Sequence, residues 1–558
     1  MDFNRYFNNE ELGTVADSWA QSHPQFVDLT ELGKSHEGNP ILLLTLTNGE
    51  TGAPADKPAI WIDANIHAPE VAGTTVALHI AHTLLSGYGK DARCTRLLDS
   101  AAFYIVPRLN PDGAAWALAG APRYIRSGTR PFPYSEPMAG LHEEDIDGDG
   151  RILQMRIPDP NGDWKVSSQD CRLMEKRGPD EQEGAFYRLL PEGRMEDYDG
   201  VNIKVARPLQ GLDFNRNFPF EWQPDSTQTG AGPFPTSESE TRAEVEFISR
   251  HNNINLALTY HTFSGVILRP FSTRPDEKME TNDLWVFELM GERGKELTGY
   301  PCLSVYHGFR YHPKEVTTGA FDDWVYDHLG IFSFTIELWD LPGRAGVKDR
   351  HFIEWFRKHP HEEDVKILNW LEENGAAEPY VGWYPFEHPQ LGAVEIGGYD
   401  QMYTWRNPPP NLMGKEAEKN TAYALALADM LPRLSLHTLE VERLSDLGDF
   451  RVRLVVENSG FLPTQTSDQG RSRNAARPVR VELVLPESVR ILSGQEKTEL
   501  GHLQGRSSRL SVSALYAASP TNNRAWTEWV LRGESGEVVE IKVLSDRAGS
   551  LHETATLQ

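Results

Sequence analysis

The sequence predicts an α/β unit with a mixed, mainly parallel β-sheet sandwiched by helices, followed by a C-terminal antiparallel β-sandwich. Three observations support this fold class. Apolar runs typical of buried strands alternate with helical segments over residues 1–435. Two of these runs end in histidine and a third ends in glutamate. After residue 435 short segments of alternating polarity, separated by turn residues, predict an accessory β-sandwich over 436–558.

Composition and charge limit the possible classes of protein. The 558 residues exceed what one hydrophobic core holds, so at least two domains are expected. Acidic residues outnumber basic ones 81 to 55, which argues against a nucleic-acid partner and against binding to an anionic membrane surface. No apolar run approaches the roughly 20 residues that span a bilayer. Cys94, Cys171 and Cys302 indicate no disulfide framework and favour a reducing, cytoplasmic compartment over a mature secreted form.

The amino-terminal elements follow the α/β rhythm. The pattern predicts a helix over 10–22, strands over 39–47 and 58–66, a helix over 71–85 and a strand over 101–107. Pro69 lies where the third of these strands ends, and proline at a first helical position would open the following helix there.

His67 and Glu70 stand at this break. Ligands of open α/β sheets bind at the carboxyl ends of strands, and an imidazole and a carboxylate three residues apart can converge on one zinc ion. On its own, a His-x-x-Glu spacing more often belongs to a surface histidine and a glutamate at a helix start. Two later predicted strands favour a metal site over this surface interpretation. Strand 254–261 ends in His261, and strand 330–338 carries Glu337 at its end. The sequence therefore predicts one metal site at this sheet edge.

Residues 131–210 depart from the rhythm and form a long insertion rich in proline, glycine and charge. Within it, Asp145, Asp147 and Asp149 alternate along the chain and precede a glycine and an isoleucine, as in the first half of a calcium loop. Position 12 of such a loop should be glutamate and is Arg156. The pattern leaves a bound Ca²⁺ and a solvated acidic turn as alternatives.

Beyond the insertion, Ser237 to Glu240 resembles a capping box that opens a helix reaching Ile248. Further helices are predicted over 321–328 and 415–430. The predicted strands of the β-sandwich are 450–456, 479–485, 510–515 and 538–544. For this C-terminal domain we favour a docking or stabilising role over carbohydrate binding.

Several ordered motifs resemble those of the zinc carboxypeptidases of the carboxypeptidase A and B type, over about residues 5–435. They are His67-x-x-Glu70, Asn110-Pro-Asp-Gly113, Asn215-Arg216-Asn217, Gly232-Pro-x-Pro-x-Ser-Glu238, His261, the segment 319–324 and Phe332-Ser-Phe-Thr-Ile-Glu337-Leu338. The resemblance implies a carboxypeptidase-like fold with His67, Glu70 and His261 as ligands of one zinc per chain.

The resemblance also implies roles for the remaining site residues. Glu337 would be the general base for a zinc-activated water, and Arg126 would stabilise the developing oxyanion. Asn215 and Arg216 would bind the terminal carboxylate of the substrate. The chain departs from the family at Glu315, which stands where a mobile tyrosine is usual. Tyr311 lies one helical turn earlier and is the alternative for that role.

The resemblance therefore predicts a zinc metallocarboxypeptidase that hydrolyses the C-terminal bond of peptides with a free carboxylate. The alternatives are a zinc amidase or deacylase acting on cell-wall peptides or N-acyl amino acids, and a binding protein without catalysis. In the family, the residue before the Asp-Trp pair lines the pocket for the C-terminal side chain. That residue is Asp322, which predicts a preference for basic C-terminal residues. The alternative is that Asp322 only stabilises a helix start.

Overall fold

The computed structural model describes residues 1–507 and 520–558. Its strands fall into groups along the chain. The first group is β1 (Val27–Lys34), β2 (Pro40–Leu46), β3 (Ala59–Ala64) and β4 (Ala102–Val106). The insertion holds β5 (Gly140–Glu143), β6 (Gln154–Pro158), β7 (Trp164–Val166), β8 (Met174–Lys176), β9 (Phe186–Pro191) and β10 (Gly193–Glu196). Then come β11 (Ile254–Thr262), β12 (Val266–Arg269), β13 (Cys302–Ser304), β14 (Phe332–Leu338), β15 (Tyr380–His388) and β16 (Gly392–Tyr399). The last group is β17 (Leu434–Arg443), β18 (Asp449–Asn458), β19 (Val479–Val484), β20 (Arg490–Ser493), β21 (Lys497–Gly501), β22 (Arg524–Arg532), β23 (Val538–Ser545) and β24 (Gly549–Thr556).

The helices lie mainly between the strands of the α/β unit. They are α1 (Asn9–Ser22), α2 (Ala72–Gly87), α3 (Ala92–Ser100), α4 (Pro111–Ala117), α5 (Ser239–Arg250), α6 (Thr281–Thr298), α7 (Val305–Gly308), α8 (Phe321–Leu329), α9 (Leu341–Arg344), α10 (Phe352–Arg357), α11 (His361–Glu373), α12 (Pro410–Ala428) and α13 (Asp468–Ser472). Short 3₁₀ turns occupy 49–51, 54–56, 214–216 and 276–278, and Met402–Arg406 forms a π-helical turn. Across the described ranges, every helix is too short or too polar to cross a lipid bilayer.

The central sheet has eight strands in the order β1-β2-β4-β3-β11-β14-β12-β13. Strands β4, β3, β11 and β14 run parallel to one another, whereas β1, β2 and β12 join by antiparallel pairing. This confirms the predicted mixed, mainly parallel sheet. Strand β1 was not predicted, since it lies at the sheet edge and half of its residues are polar.

Helices cover both faces of this sheet. On one face the ring of Trp61 in β3 packs on Phe247 of α5, with centroids 5.5 Å apart. On the other face α2 approaches so closely that a Cβ on Gly73 would lie 3.0 Å from the Cβ atoms of Ala64 and Tyr260. The sheet is therefore buried on both sides, which explains why its parallel strands are nearly continuous apolar runs.

Helix α2 covers Ala72–Gly87, close to the predicted range 71–85, but Pro69 does not open it, because the turn that contains Pro69 directs Glu70 towards the histidines. The predicted start of helix α5 is wrong. Helix α5 has Glu238 at its N-cap without a side-chain cap. The Ser237 hydroxyl instead donates to the adjacent Glu238 Oε1 and accepts from Asn217 Nδ2 at 3.1 Å, and these contacts replace the predicted capping box.

The insertion is antiparallel, and its main sheet is completed by two strands from a later part of the chain. Strands β6 to β9 join β15 and β16 in a six-stranded sheet, ordered β15-β16-β6-β9-β7-β8. Leu153 and Met155 of the insertion share one buried cluster with Val394 and Ile396 of β16. Segments about 240 residues apart therefore build one wall beside the central sheet.

In its described residues, the C-terminal domain has two four-stranded antiparallel sheets, β17-β18-β22-β20 and β21-β19-β23-β24, around one core. The predicted strand at 510–515 lies outside the described residues. This domain contacts the amino ends of two central strands. Asn255 Nδ2 donates to the Arg547 carbonyl at 2.9 Å, and Ser467 Oγ donates to the Gly330 carbonyl at 2.7 Å. The carboxyl ends of the same strands, which carry His261 and Glu337, lie away from these contacts.

Candidate metal centre and active site

Three predicted ligands meet at the carboxyl edge of the central sheet. His67 and Glu70 lie in the turn after β3, and His261 is near the end of β11, the neighbouring strand. Their candidate ligand atoms all lie within 4.8 Å of one another, and all three side chains are buried. The structure thus brings together residues that are up to 194 positions apart in sequence.

The spacing of these atoms fits a tetrahedral zinc ion. His67 Nδ1 lies 3.0 Å from Glu70 Oε1 and 3.1 Å from His261 Nδ1, and His261 Nδ1 lies 3.4 Å from Glu70 Oε2. Two ligands bound to zinc at about 2.0–2.1 Å in a tetrahedron are themselves about 3.3 Å apart. The nitrogen and oxygen set is also one that zinc prefers. The three residues therefore fit a zinc site with one position left for water or substrate.

The protonation states agree with metal binding. Burial lowers the pKa of His261 to about 4, so its ring is neutral at ordinary pH. Burial opposes ionisation of Glu70, but the two histidines hold the pKa of its carboxyl well below its usual range. Glu70 Oε2 also accepts the Thr262 backbone N–H at 3.0 Å. A neutral imidazole and an ionised carboxylate are the forms that coordinate zinc.

Sequence reasoning missed Asp213, which lies directly behind the metal site. Its Oδ1 is 3.1 Å from His67 Nε2, and its Oδ2 accepts from Arg126 Nε at 2.9 Å. Burial opposes its ionisation, but Arg126 and Arg216 hold the pKa of Asp213 well below its usual range. A carboxylate that accepts from the outer nitrogen of a histidine fixes the ring orientation and makes it a better ligand. The only sequence signal was its position two residues before Asn215.

Replacing Asp213 with asparagine should weaken zinc binding by about 10–100-fold, the usual effect of removing a carboxylate that bonds to a metal-ligating histidine. Zinc affinity is measured by competition with a chelator of known affinity. Asp225→Asn is the matched control, because Asp225 pairs with Arg207 instead. An unchanged zinc affinity in Asp213→Asn would show that the contact with His67 has no role in metal binding.

Hydrogen bonds from the Asn110 turn align two loops of the site. Asn110 Nδ2 donates to the carbonyls of Ile66 at 3.3 Å and Ser127 at 2.8 Å. The Ala68 N–H also donates to the Arg126 carbonyl at 3.0 Å. These contacts place the Arg126 guanidinium beside the ligands, where Nη1 donates to Glu70 Oε1 at 3.3 Å.

Glu337 lies opposite His261 in the parallel ladder between β11 and β14. Together with His67 and Glu70 it lines the cavity above the metal site. Burial and the negative charge of Glu70 raise the pKa of Glu337 well above its usual range, while Arg126 opposes this rise. A carboxyl with a raised pKa beside a metal site is suited to accept and return a proton.

Asn215 and Arg216 lie in the 3₁₀ turn that Asp213 caps, with the Asn215 N–H donating to Asp213 Oδ1 at 2.9 Å. Asn215 Oδ1 accepts the Phe321 N–H at 2.9 Å, which orients the amide group. Arg216 Nη1 donates to the Asn215 carbonyl at 2.6 Å, and its Nη2 lies 3.9 Å from Asp213 Oδ2. The predicted carboxylate clamp is therefore fixed by the same aspartate that contacts the metal ligand His67.

Asp322 and Asp323 begin helix α8 but have different surroundings. Both carboxylate oxygens of Asp323 accept the Ser272 N–H at 3.0 Å, which is a structural contact. Within the described part of the chain, Asp322 Oδ2 is buried without a hydrogen-bond partner. Burial raises the pKa of Asp322 to about 6, and it lies within electrostatic range of Arg216. Of the two aspartates, Asp322 is therefore the one with a carboxylate oxygen that accepts no hydrogen bond in the described residues.

The cavity above the metal site has a volume of about 690 Å³. Tyr311 lines it and lies within electrostatic range of Arg126 and Glu337, and its carbonyl accepts from Arg357. Glu315 is exposed and is not among the lining residues. Asn215, Arg216 and Asp322 are likewise not in the cavity wall. Of the two candidates for the tyrosine role, the structure brings only Tyr311 to the site.

The acidic loop of the insertion is separate from this cavity. Asp145, Asp147 and Asp149 offer oxygens within 4.8 Å of one another. These oxygens already accept hydrogen bonds: Asp145 accepts from two glycine N–H groups, and Asp149 pairs with Arg151 at 2.9 Å. Calcium binding at this loop stays a prediction.

A His–Glu–His cluster at the carboxyl edge of a mixed sheet, with the half-buried Glu337 lining the same cavity, is a residue set suited to hold one zinc ion. Comparison with known protein families agrees with a zinc site at these residues. The family described as zinc carboxypeptidase (Peptidase M14) matches residues 13–347, more than half of the chain. The chain belongs to this zinc carboxypeptidase family. Residues 433–556 match a second family, described as a domain of unknown function (DUF8731).

Individual relatives are distant. Carboxypeptidase A2 of Rattus norvegicus is 26% identical over 348 residues, covering 61% of this chain and 64% of the relative. Carboxypeptidase B of Astacus astacus is 25% identical over 354 residues, covering 61% of this chain and 88% of the relative. Among solved structures, thrombin activatable fibrinolysis inhibitor is similar with a TM-score of 0.43 and 18% identity, covering 76% of this chain and 74% of that one.

Proposed function

We propose that the protein is a zinc-dependent carboxypeptidase that releases single residues from the C-termini of peptides. The observation that carries this proposal is the position of Glu337 beside the His67, Glu70 and His261 cluster in one cavity. When bound, zinc supplies a Lewis acid that polarises the scissile carbonyl and acidifies a coordinated water. Membership of the zinc carboxypeptidase family supports peptide-bond hydrolysis as the reaction. The proposal of a substrate with a free carboxylate rests on Asn215 and Arg216.

The roles of the side chains follow from their charges and positions. The Glu337 carboxylate takes a proton from the attacking water and returns it to the leaving nitrogen, which its raised pKa assists. Arg126 offers a positive charge beside Glu70 where the oxyanion develops, held there by its bond to Asp213. Asn215 and Arg216 bind the terminal carboxylate, and Tyr311 closes over the substrate.

The test is a panel of blocked dipeptides, murein peptides and N-acyl amino acids, assayed with and without a zinc chelator. We expect release of the C-terminal residue, loss of activity with the chelator and recovery on adding zinc. Hydrolysis that the chelator does not affect would contradict the proposal. A protein that binds peptides but hydrolyses none of them would be the binding protein considered above.

Zinc amidase or deacylase activity on the same site is the second candidate. The observation that favours it is the wall supplied by the insertion, where Leu153, Gln154 and Pro191 line the cavity. Such a wall favours small substrates, including N-acyl amino acids and short cell-wall peptides. Faster hydrolysis of these compounds than of any blocked dipeptide would select this candidate.

Replacing Arg216 with alanine should reduce the discrimination between free and amidated C-termini. Hydrogen bonds to charged groups contribute about 1.5–3 kcal/mol, so kcat/KM for free-acid peptides should fall by roughly 10–100-fold. Activity on amidated peptides, which lack the carboxylate, should change much less. Arg216→Lys keeps the charge without the two-pronged geometry and should recover only part of the loss. Unchanged discrimination would place the carboxylate clamp elsewhere.

Asp322 should favour substrates ending in lysine or arginine, since its Oδ2 lacks a hydrogen-bond partner among residues 1–507 and 520–558. The values of kcat/KM are compared for peptides ending in Arg, Phe and Glu. We expect the parent to prefer Arg by about tenfold or more and Asp322→Asn, which keeps the shape, to lose this preference. A parent that prefers Phe, or a variant that keeps the basic preference, would leave Asp322 as a helix-start residue.

A further inference from the structure

Arg406 is a third arginine near the metal site and lies outside residues 13–347, which match the family. It ends the π-helical turn Met402–Arg406 and lines the same cavity as Glu70. Arg126 and Arg216 both contact Asp213, whereas the Arg406 guanidinium makes no hydrogen bond or ion pair with any residue that the structure describes. It is a half-buried cation whose donors face the cavity unpaired.

The backbone beside Arg406 is fixed to the metal-binding turn. Asn407 is fully buried, its Oδ1 accepts the Ala72 N–H at 3.0 Å, and its Nδ2 donates to the Pro69 carbonyl at 2.8 Å. These two contacts lie on either side of Glu70 in sequence. The Arg406 side chain therefore starts from a position that is set relative to the zinc ligand, as a substrate-binding group requires.

The cavity wall places Arg406 on the side of the insertion. Arg406 lines the cavity together with Glu143 and Gln154 of the insertion. Arg216 is not in this wall, and its guanidinium lies against the Asn215 carbonyl and near Asp213. If the C-terminal residue of the substrate occupies the Arg216 side, then Arg406 faces the part of the substrate that precedes the scissile bond.

We propose that Arg406 binds a carboxylate in the acyl part of the substrate, so that peptides with glutamate or aspartate before the scissile bond are preferred. This inference rests on the proposed carboxypeptidase function. A guanidinium offers two parallel N–H donors to a carboxylate, and a partly desolvated cation without a partner gains from pairing. Glu143 lines the same cavity without forming an ion pair with Arg406, so its negative charge competes with the substrate.

The test compares N-acetyl-Glu-X with N-acetyl-Gln-X, where X is the residue that the parent releases fastest. We expect the parent to favour the Glu peptide in kcat/KM by roughly tenfold or more. Arg406→Gln should bring this ratio close to one, and Arg406→Lys should keep part of it. Glu143→Gln should raise the ratio. The matched control is Arg194→Gln, which removes the same charge from an exposed side chain next to Glu144 and should keep the parent ratio.

A second readout needs no turnover. Calorimetry on the zinc-loaded protein compares binding of the acyl products N-acetyl-Glu and N-acetyl-Gln, and Arg406→Gln should lose the preference for N-acetyl-Glu. Equal ratios in the parent, or an Arg406→Gln variant that slows both peptides alike and keeps the ratio, would overturn the inference. Hydrolysis without a Glu preference contradicts the inference alone. Absence of hydrolysis contradicts the proposed function, and the product-binding preference then still decides the role of Arg406.

Discussion

Replacing His67 or His261 with alanine is expected to remove zinc and hydrolytic activity together. The two histidine Nδ1 atoms and the Glu70 carboxylate lie 3.0–3.4 Å from one another, with Oε1 facing His67 and Oε2 facing His261, and each variant leaves only two of the three ligand residues. Two protein ligands hold zinc far more weakly than three, so the ion should dissociate at ordinary free zinc levels. Zinc content is measured by elemental analysis after dialysis, and kcat/KM is measured on the best peptide of the panel.

The control for these variants is His251→Ala. His251 caps the C-terminus of helix α5, its ring stacks on Phe247 with centroids 3.7 Å apart, and it does not line the cavity. It should retain zinc and activity. Stoichiometric zinc in His67→Ala or His261→Ala would remove that residue from the ligand set, whatever the effect on turnover.

The parts of the site that the sequence predicted are those attached to buried parallel strands. A strand buried on both faces is an uninterrupted apolar run, so the polar residue at its end stands out. His261 and Glu337 are of this kind, and the parallel register of β11 and β14 places them side by side. The edge of the sheet that carries the metal site therefore followed from local pattern alone.

The parts that the sequence did not predict depend on contacts between distant segments. Asp213 acts through a histidine 146 positions away, and Arg406 is positioned by an asparagine that bonds the backbone 335 positions away. The cavity wall needs hairpin β15–β16 to complete the sheet of the insertion. None of these pairings leaves a periodic signal in the sequence, because each depends on how separate elements meet in the fold.

The same reasoning explains why Pro69 and Ser237 do not open the helices that follow them. Ser237 carries the residue type of an N-cap, but its hydroxyl is used by Glu238, and the Asn217 side chain also donates to it at 3.1 Å. Pro69 has a helix-start preference, yet its carbonyl accepts from Asn407 and the helix begins three residues later. Local propensity is a weak guide where a loop is held by the groups that build a functional site.

Replacing Glu337 with glutamine should retain zinc and lower kcat by about 10²–10⁴-fold, the usual contribution of a general base. Glutamine has the same shape but cannot take up a proton from water. The three zinc ligands are unchanged in this variant, and neither Arg126 nor Arg216 forms a hydrogen bond with Glu337 in the described residues, so the metal site should remain intact.

The measurement for Glu337→Gln combines zinc content, substrate binding and single-turnover kinetics. Retained zinc and a KM within a fewfold of the parent, together with a kcat loss of that size, would assign the proton transfer to Glu337. Glu395→Gln is the matched control, because Glu395 of β16 pairs with Arg156 of β6 and does not line the cavity. A Glu337→Gln variant with kcat near that of the parent would reject Glu337 as the base and direct the search to another group in the cavity.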